Sequence, residues 1–254
     1  MKVFALYNVK GGVGKTSAAV NLAYLSSTNH FKTLLWDLDS QGAGTYCLCR
    51  NKIEVKMKDW IKGDEKASAF VFKTKYKDLF ILPSDISLRH LDSYLAGINK
   101  PKHRISDILS QLKDQFNMVF LDCPPGISKL AENIFYAADY ILMPAIPSPL
   151  SFNSFQSVSR FLGKKGFNNQ KLIPFFSMVD LRRKMHKDNI SVLKRDLNNI
   201  CLNYIPYLSD IEKMSEMRKP VPLSMPRSKA AMAYLNLWEE IIAKTHIASS
   251  GALL

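Results

Sequence analysis

Residues 3–17 read VFALYNVKGGVGKTS, and this stretch decides the fold. A short apolar run, Val3 to Tyr7, breaks at a glycine-rich turn, passes through Lys15-Thr16 and opens onto an alanine-rich helical pattern. Strand, glycine loop and helix in that order build a cradle for phosphate. Glycines let the backbone approach an anion closely and turn successive N–H groups toward it. A helix opening near Gly14 adds the positive end of its dipole at the same point. The candidate phosphate-binding set is Lys10, Gly11, Gly12, Val13, Gly14, Lys15, Thr16 and Ser17. Lys15 is placed to neutralise the β- and γ-phosphates, and the Thr16 hydroxyl to take a Mg²⁺ coordination position.

The spacing departs from the ordinary G-x-x-x-x-G-K-[ST] loop. Val9 stands where that pattern asks for its first glycine, and a second lysine, Lys10, precedes Gly11-Gly12. This K-G-G-x-G-K-T form resembles the deviant Walker A motif of the ParA/MinD family of ATPases. The cofactors that the resemblance implies are ATP and Mg²⁺.

Outward from the loop, apolar runs alternate with helical patterns. Thr16 to Ser27 reads as the first helix, with Ala19, Leu22, Ala23 and Ser26 inward. Thr33 to Trp36 reads as a buried parallel strand that ends in Asp37-Leu38-Asp39-Ser40-Gln41-Gly42. The reading places this strand beside the phosphate-loop strand, with Asp37 and Asp39 on one side of it, where open α/β sheets bind ligands. ParA-like proteins carry D-x-D-P-Q-G here; this chain has Ser40 in place of the proline.

Residues 50–78 are lysine-rich and weakly patterned, with a short helix expected around Asp59-Trp60-Ile61 and an edge element over Phe70 to Phe72. Leu79 to Leu82 is a strand, and Ser84 or Asp85 caps the next helix, whose Leu88, Leu91 and Leu95 share a face before Gly97. After Pro101, the apolar Ile105, Ile108, Leu112 and Phe116 mark one amphipathic helix. Met118 to Leu121 closes on Asp122-Cys123-Pro124-Pro125-Gly126. An apolar strand ending in Asp is the Walker B arrangement, in which the carboxylate holds a water of the Mg²⁺ shell. The family's D-[TC]-P-P segment resembles this run, which makes Cys123 a loop residue.

The pattern continues with a helix near Ser128 to Ala138, a strand Tyr140 to Met143 broken by Pro144, Pro147 and Pro149, and a helix ending at Gly163. A strand Lys171 to Val179 follows, then a helix with Ile190, Leu193, Leu197 and Ile200 inward. A last strand, Leu202 to Ile205, leads to Pro206, where the family resemblance implies an adenine-sandwiching residue. Two helices around Lys219-Pro220-Val221-Pro222 complete the chain, with Ala230, Tyr234, Leu237 and Ile241 as a core stripe. Alternating strands and helices without repeat or linker predict one α/β domain over 1–254, a doubly wound, mostly parallel sheet with helices on both faces. No extra module is expected ahead of the phosphate loop.

Composition narrows the class. Lys and Arg number 35 against 22 Asp and Glu, a net charge of +13, which points to a polyanionic partner. No apolar run reaches membrane-spanning length and no signal peptide opens the chain, so a cytoplasmic setting is expected. The four cysteines lack paired zinc spacing.

The resemblance assigns roles. Lys10, Lys15, Asp39 and Asp122 form the catalytic set, with Thr16, Asp37, Asp39 and Asp122 around the metal. Asp39 orients the attacking water, and Lys10 reaches across a face-to-face homodimer to the partner's ATP. ATP-dependent dimers of this family grip a surface until a partner such as a ParB-like or cargo-adaptor protein triggers hydrolysis. The surface expected here is non-specific DNA, in a nucleoid-associated setting, through Lys187, Lys194, Arg195, Lys213, Arg218, Lys219, Arg227 and Lys229. A MinD-like membrane switch is the alternative, but the closing residues lack a basic amphipathic pattern. An iron–sulfur carrier ATPase would need a second cysteine at a ligand position beside Cys123, and none is evident. A DNA-binding protein without activity would leave the ATPase groups unexplained.

Overall fold

The computed structural model describes residues 1–49, 66–97, 102–197 and 199–247. The helix expected around Asp59-Trp60-Ile61 lies outside them. The strands are β1 (Lys2–Leu6), β2 (Thr33–Asp37), β3 (Phe72–Lys73), β4 (Leu79–Leu82), β5 (Met118–Asp122), β6 (Tyr140–Ala145) and β7 (Leu172–Phe176). They form one seven-stranded sheet in the order β3-β4-β2-β5-β1-β6-β7, parallel except for the short edge strand β3. β5 therefore flanks the phosphate-loop strand on the side where the sequence suggests β2. Strand order is set by which crossover packs beside which, and local patterning carries no trace of it.

Strand alternation splits the core. Val3, Ala5, Leu34, Trp36, Val119, Leu121, Ile141 and Met143 face one layer, packed against α3 (Leu91–Ala96), α4 (Arg104–Ser110), α5 (Lys129–Ala137) and α6 (Pro149–Lys164). Phe4, Leu6, Leu35, Phe120, Leu142 and Phe175 face the other, against α1 (Lys15–Thr28) and α10 (Lys229–Thr245). Phe4 and Phe120 stack at 5.3 Å between ring centroids, and Trp238 of α10 closes over Phe120 at 6.2 Å. Strands buried on both faces have no polar side to show, so they read as continuous apolar runs. α1 is buried nearly all round, from Lys15 to Ser27, wider than the expected single face.

Several boundaries differ from the sequence reading. β6 continues through Pro144 because the β1–β6 pairing stops at Leu142; the Pro144 carbonyl instead accepts the Asn8 side-chain amide at 2.7 Å. Pro174 sits within β7, whose carbonyl on that residue takes the Cys201 N–H at 2.8 Å on the outer side, away from β6. Pro149 opens α6, where the first helical amides need no acceptor, and Gly163 lies inside that helix. α4 stops at Ser110, so Leu112 and Phe116 are buried from the turn beyond it. Asp85, rather than Ser84, caps the turn of 3₁₀ helix Ile86–His90 by accepting the Ser87 N–H. α7 (Lys184–Asp196) ends before Leu197 and Ile200, which still join Phe176 and Val179 in a small core.

The strand expected at 202–205 does not form. That segment runs alongside the end of β7, where Ile205 N–H donates to Phe176 and Val179 N–H to Ile205, and closes in a single bridge, Val179 to Pro206. The last part of the chain has three helices instead of two: α8 (Ser209–Met217), α9 (Val221–Ser224) and α10, with α2 (Ala43–Leu48) packed on α8.

Candidate functional site

β1, β2 and β5 all end at one rim of the sheet, and the glycine loop spans it. Three fasteners hold the loop. Tyr7 Oη donates to Gly126 O at 2.8 Å, Gly126 N–H donates to Val9 O at 3.1 Å, and the buried Asn8 bonds both Pro144 O and the Lys10 N–H. Gly12 and Gly14 have φ of 69° and 87°. A Cβ on Gly14 would lie 2.8 Å from Ser177 Oγ, so both backbone conformation and space require glycine there. α1 begins immediately, with Ala18 N–H bonded to Gly14 O. Lys15 is buried, its Nζ 3.0 Å from Lys10 O. Burial pushes its ammonium below the usual lysine range, against Asp122, Cys123 and Asp39, whose charges oppose the shift.

Asp37 and Asp122 stand opposite each other across the β2–β5 ladder, and both are fully buried. Their surroundings differ. Asp37 Oδ2 accepts the Thr45 N–H at 2.7 Å and the Thr45 hydroxyl at 2.8 Å, and Oδ1 accepts the Asp39 N–H at 3.3 Å. Burial nonetheless drives its carboxyl up to about 6, ahead of the lowering effect of those bonds. Neither oxygen of Asp122 has a well-formed hydrogen bond. Burial, then the Asp37 charge, lifts it well above the usual carboxylate range, although the Thr16 hydroxyl and Lys15 pull the other way. A buried carboxylate without donors beside a loop hydroxyl is suited to a cation or its hydration water. The residues therefore fit Mg²⁺ held at Thr16 and Asp122, with remaining ligands from phosphate and water. Among the described residues no three His, Cys, Asp or Glu side chains gather into a metal site of their own.

A cleft of about 620 Å³ opens above these groups, lined by the glycine loop, Lys15 to Ser17, Asp39 to Gln41, Pro124, Pro125 and Met178. Asp39 thus faces the same space as Lys15 and Thr16, its carboxylate accepting the Gln41 N–H at 3.0 Å. Beside it is a pocket of about 30 Å³, lined by Gly14, Ser17, Ser177, Met178, Ile205, Pro206, Tyr207, Leu208, Ile211, Glu212 and Tyr234. Pro206 thus lines a pocket next to the phosphate loop, although no strand delivers it. Lys10 lines neither space, and its side chain makes no hydrogen bond or ion pair among the described residues.

The basic residues divide. Lys187, Arg195, Lys213, Arg227 and Lys229 are exposed, and Lys219 is half-buried. Lys194 Nζ donates to Leu202 O at 3.1 Å. The Arg218 guanidinium donates to the Tyr46 and Cys49 carbonyls and lies 4.3 Å over the Tyr46 ring, so it caps α2 from the following helices. Arg218, counted by sequence among surface contacts, is thereby occupied inside the fold. The four cysteines are free, and burial pushes all of their thiols up; Cys123 donates to Leu121 O at 3.4 Å.

Sequence reasoning misses Thr45, Ser84 and Met178. Ser84 follows a strand end at the ligand rim, a position that would flag it; Thr45 and the left-handed Met178 (φ 55°) carry no such signal.

A family model described as AAA domain (AAA_31) matches residues 1–174. The sporulation initiation inhibitor protein Soj of Bacillus subtilis is 27% identical over 252 residues, covering 95% of this chain and 98% of that one. The Cyanothece McdA–ATP complex superposes with a TM-score of 0.84 at 22% identity, covering 100% of this chain and 98% of the other. The septum site-determining protein MinD of Pyrococcus horikoshii, complexed with Mg-ADP, gives 0.79 at 20% identity, covering 94% and 95%. Proteins of the Soj and ParA type are thus relatives of this chain in sequence, and the McdA and MinD structures share its fold. With the lysine-flanked glycine loop, the two strand-end carboxylates and the sheet order in place, the chain belongs to the ParA/MinD family of deviant-Walker P-loop ATPases.

Proposed function

We propose that this single-domain protein is a ParA-like partition or positioning ATPase, which dimerises on binding ATP and Mg²⁺, holds DNA without sequence preference and releases it on hydrolysis. The observation that supports the reading is a cleft lined by Lys15, Thr16 and Asp39 on one side of the loop, while the Lys10 side chain, in the same loop, makes no hydrogen bond or ion pair among the described residues. Lys15 and the loop amides would hold the phosphates. Thr16 and Asp122 would hold Mg²⁺, with Asp37 behind them; when bound, the metal supplies charge neutralisation at the phosphate oxygens. Asp39, at the mouth of the cleft, would orient the attacking water. Lys10 would complete the charge in the partner's site, as an arginine finger does in better-known systems, where it is worth roughly 10³–10⁵ in rate.

Pro206 and its neighbours would take the base. The exposed Lys187, Arg195, Lys213, Arg227 and Lys229 support a salt-sensitive phosphate-backbone contact. A ParB-like or cargo-adaptor protein would act as the trigger, near the nucleoid.

Complementation tests the reading. Lys10→Ala and Asp39→Ala should each bind ATP and turn it over at least ~10³-fold more slowly. Mixed in equal amounts they should recover about a quarter of wild-type turnover, since half the dimers are mixed and each carries one complete site. If Lys10 serves its own subunit, mixing restores nothing.

A further inference from the structure

From the closed ring of hydrogen bonds beneath the Asp39 loop, we propose that Ser84, acting with Thr45, is the positioning residue that sets the Asp39 carboxylate toward the cleft. The ring draws on three elements. From the end of β2, Asp37 Oδ2 accepts both donors of Thr45, in α2. The Thr45 hydroxyl, its one proton given to Asp37, accepts the Ser84 N–H at 2.7 Å with a lone pair. Ser84, just past β4, returns its own hydroxyl proton to the Asp39 carbonyl. The Asp39 N–H closes the circuit on Asp37 Oδ1 at 3.3 Å. The direction of each bond is fixed, because the Asp37 carboxylate accepts without donating.

The consequence falls on Asp39 alone. Its N–H is held to Asp37, its carbonyl is shared by Ser84 Oγ and the Gly42 N–H, and its side chain is left to face the cleft. Ser84 itself lines neither cavity, so it acts through Asp39. Within the turn, the Asp39 carboxylate also accepts the Gln41 N–H at 3.0 Å. Gly42 has φ of 65°, and the Ser40 N–H donates to no group among the described residues. A catalytic group must be held within a fraction of an ångström of its productive place, and two small hydroxyls are the means here.

The inference rests on Asp39 being the water-orienting residue proposed above, and three variants separate the two. Ser84→Ala should lower ATP turnover about fivefold to tenfold, the equivalent of one lost hydrogen bond, with ATP affinity within twofold and thermal midpoint close to wild type. Ser40→Pro fixes φ at position 40 and removes an amide that donates to nothing. Added to Ser84→Ala, it should recover at least half of the lost turnover. Unchanged turnover in Ser84→Ala overturns the inference, as does a parallel fall in turnover, affinity and melting temperature, or a failure of Ser40→Pro to rescue. If Asp39→Ala also turns over normally, the failure belongs to the role of Asp39 instead; if Asp39→Ala is inactive while Ser84→Ala is not, only the positioning role of Ser84 falls.

Discussion

The two ends of the nucleotide cleft are built in opposite ways. At the phosphate end the space is open, about 620 Å³, with the buried Lys15 in its lining and the buried Asp37 and Asp122 at the ends of the neighbouring strands. At the end proposed for the base the space is nearly closed, about 30 Å³, and its walls are mainly apolar, among them Met178, Ile205, Pro206, Leu208, Ile211 and Tyr234. Only the first end is shaped in advance. Burying charge is costly, so those groups are fixed by the sheet before anything binds, and their strain is relieved by a ligand. Apolar walls carry no such debt and can close on each other until a flat ring separates them. Gly14, Ser17 and Met178 border both spaces, so they are the joint between a rigid half and an adaptable one.

The sharpest way to break this contrast is at Lys15. Lys15→Ala should weaken Mg-ATP binding by roughly 10²–10³-fold, because it removes the buried ammonium proposed to meet the phosphates; titration with a fluorescent ATP analogue checks it, and a loss below tenfold would make the phosphate end no more demanding than the base end. Gly14→Ala comes next. Its Cβ would press on Ser177 at 2.8 Å from a backbone with φ of 87°, at a cost of about 1–3 kcal/mol. ATP affinity should fall about tenfold or more, and thermal melting should shift down with it.

Asp37→Asn probes the strain directly. The folded chain raises this carboxyl from 3.8 to about 6, so the native state binds the proton more tightly than the unfolded chain. Stability is then lost as pH rises between those two values and stays lost above them. Without nucleotide, wild type should be less stable at pH 7 than near pH 4 on this account, by an amount on the order of 2 kcal/mol, and Asp37→Asn, whose NH2 must meet one of the three donors that Asp37 accepts, should lose that pH dependence. Calorimetry across that range checks the sign. The smallest effect belongs to the base end: Pro206→Ala should weaken ATP and ADP alike by only about threefold to fivefold, since it trims one apolar wall. Unequal losses for the two nucleotides would tie Pro206 to the phosphate end instead.

The same contrast explains what the sequence could disclose. The phosphate end is written in local code: glycines at fixed spacing, a lysine, a strand that stops on Asp122. Each residue there acts through its own backbone or its own strand, so a short window contains the whole reason for it. The base end is assembled from β7, from the extended segment before Pro206, and from α8 and α10, pieces that only tertiary packing brings together. Pro206 could be assigned there by resemblance, but Met178 and Tyr234 could not. Strand order was equally hidden; β5 separates β1 from β2 because of how the crossovers pack, and nothing in Thr33 to Asp37 records its neighbour. Pro144 misleads for a physical reason as well, since a proline breaks a strand only where its missing N–H has a partner to lose. Arg218 is a charge whose use is internal, and a count of lysines and arginines cannot tell such a residue from a surface one.

The margins of the sheet bear on assembly. At one margin β3 is only two residues long, antiparallel to its neighbour, and can lend another chain no more than a bond or two. At the other, Pro174 lacks a donor, its carbonyl is already taken by Cys201, and the segment up to Pro206 lies along the end of β7. Short, proline-blunted or covered edges are how proteins discourage strand-to-strand aggregation. Two copies of this chain are therefore poor partners for a continuous sheet. In the proposed dimer the partner would thus be met at the rim where β1, β2 and β5 end, beside Lys10, and not along a margin of the sheet.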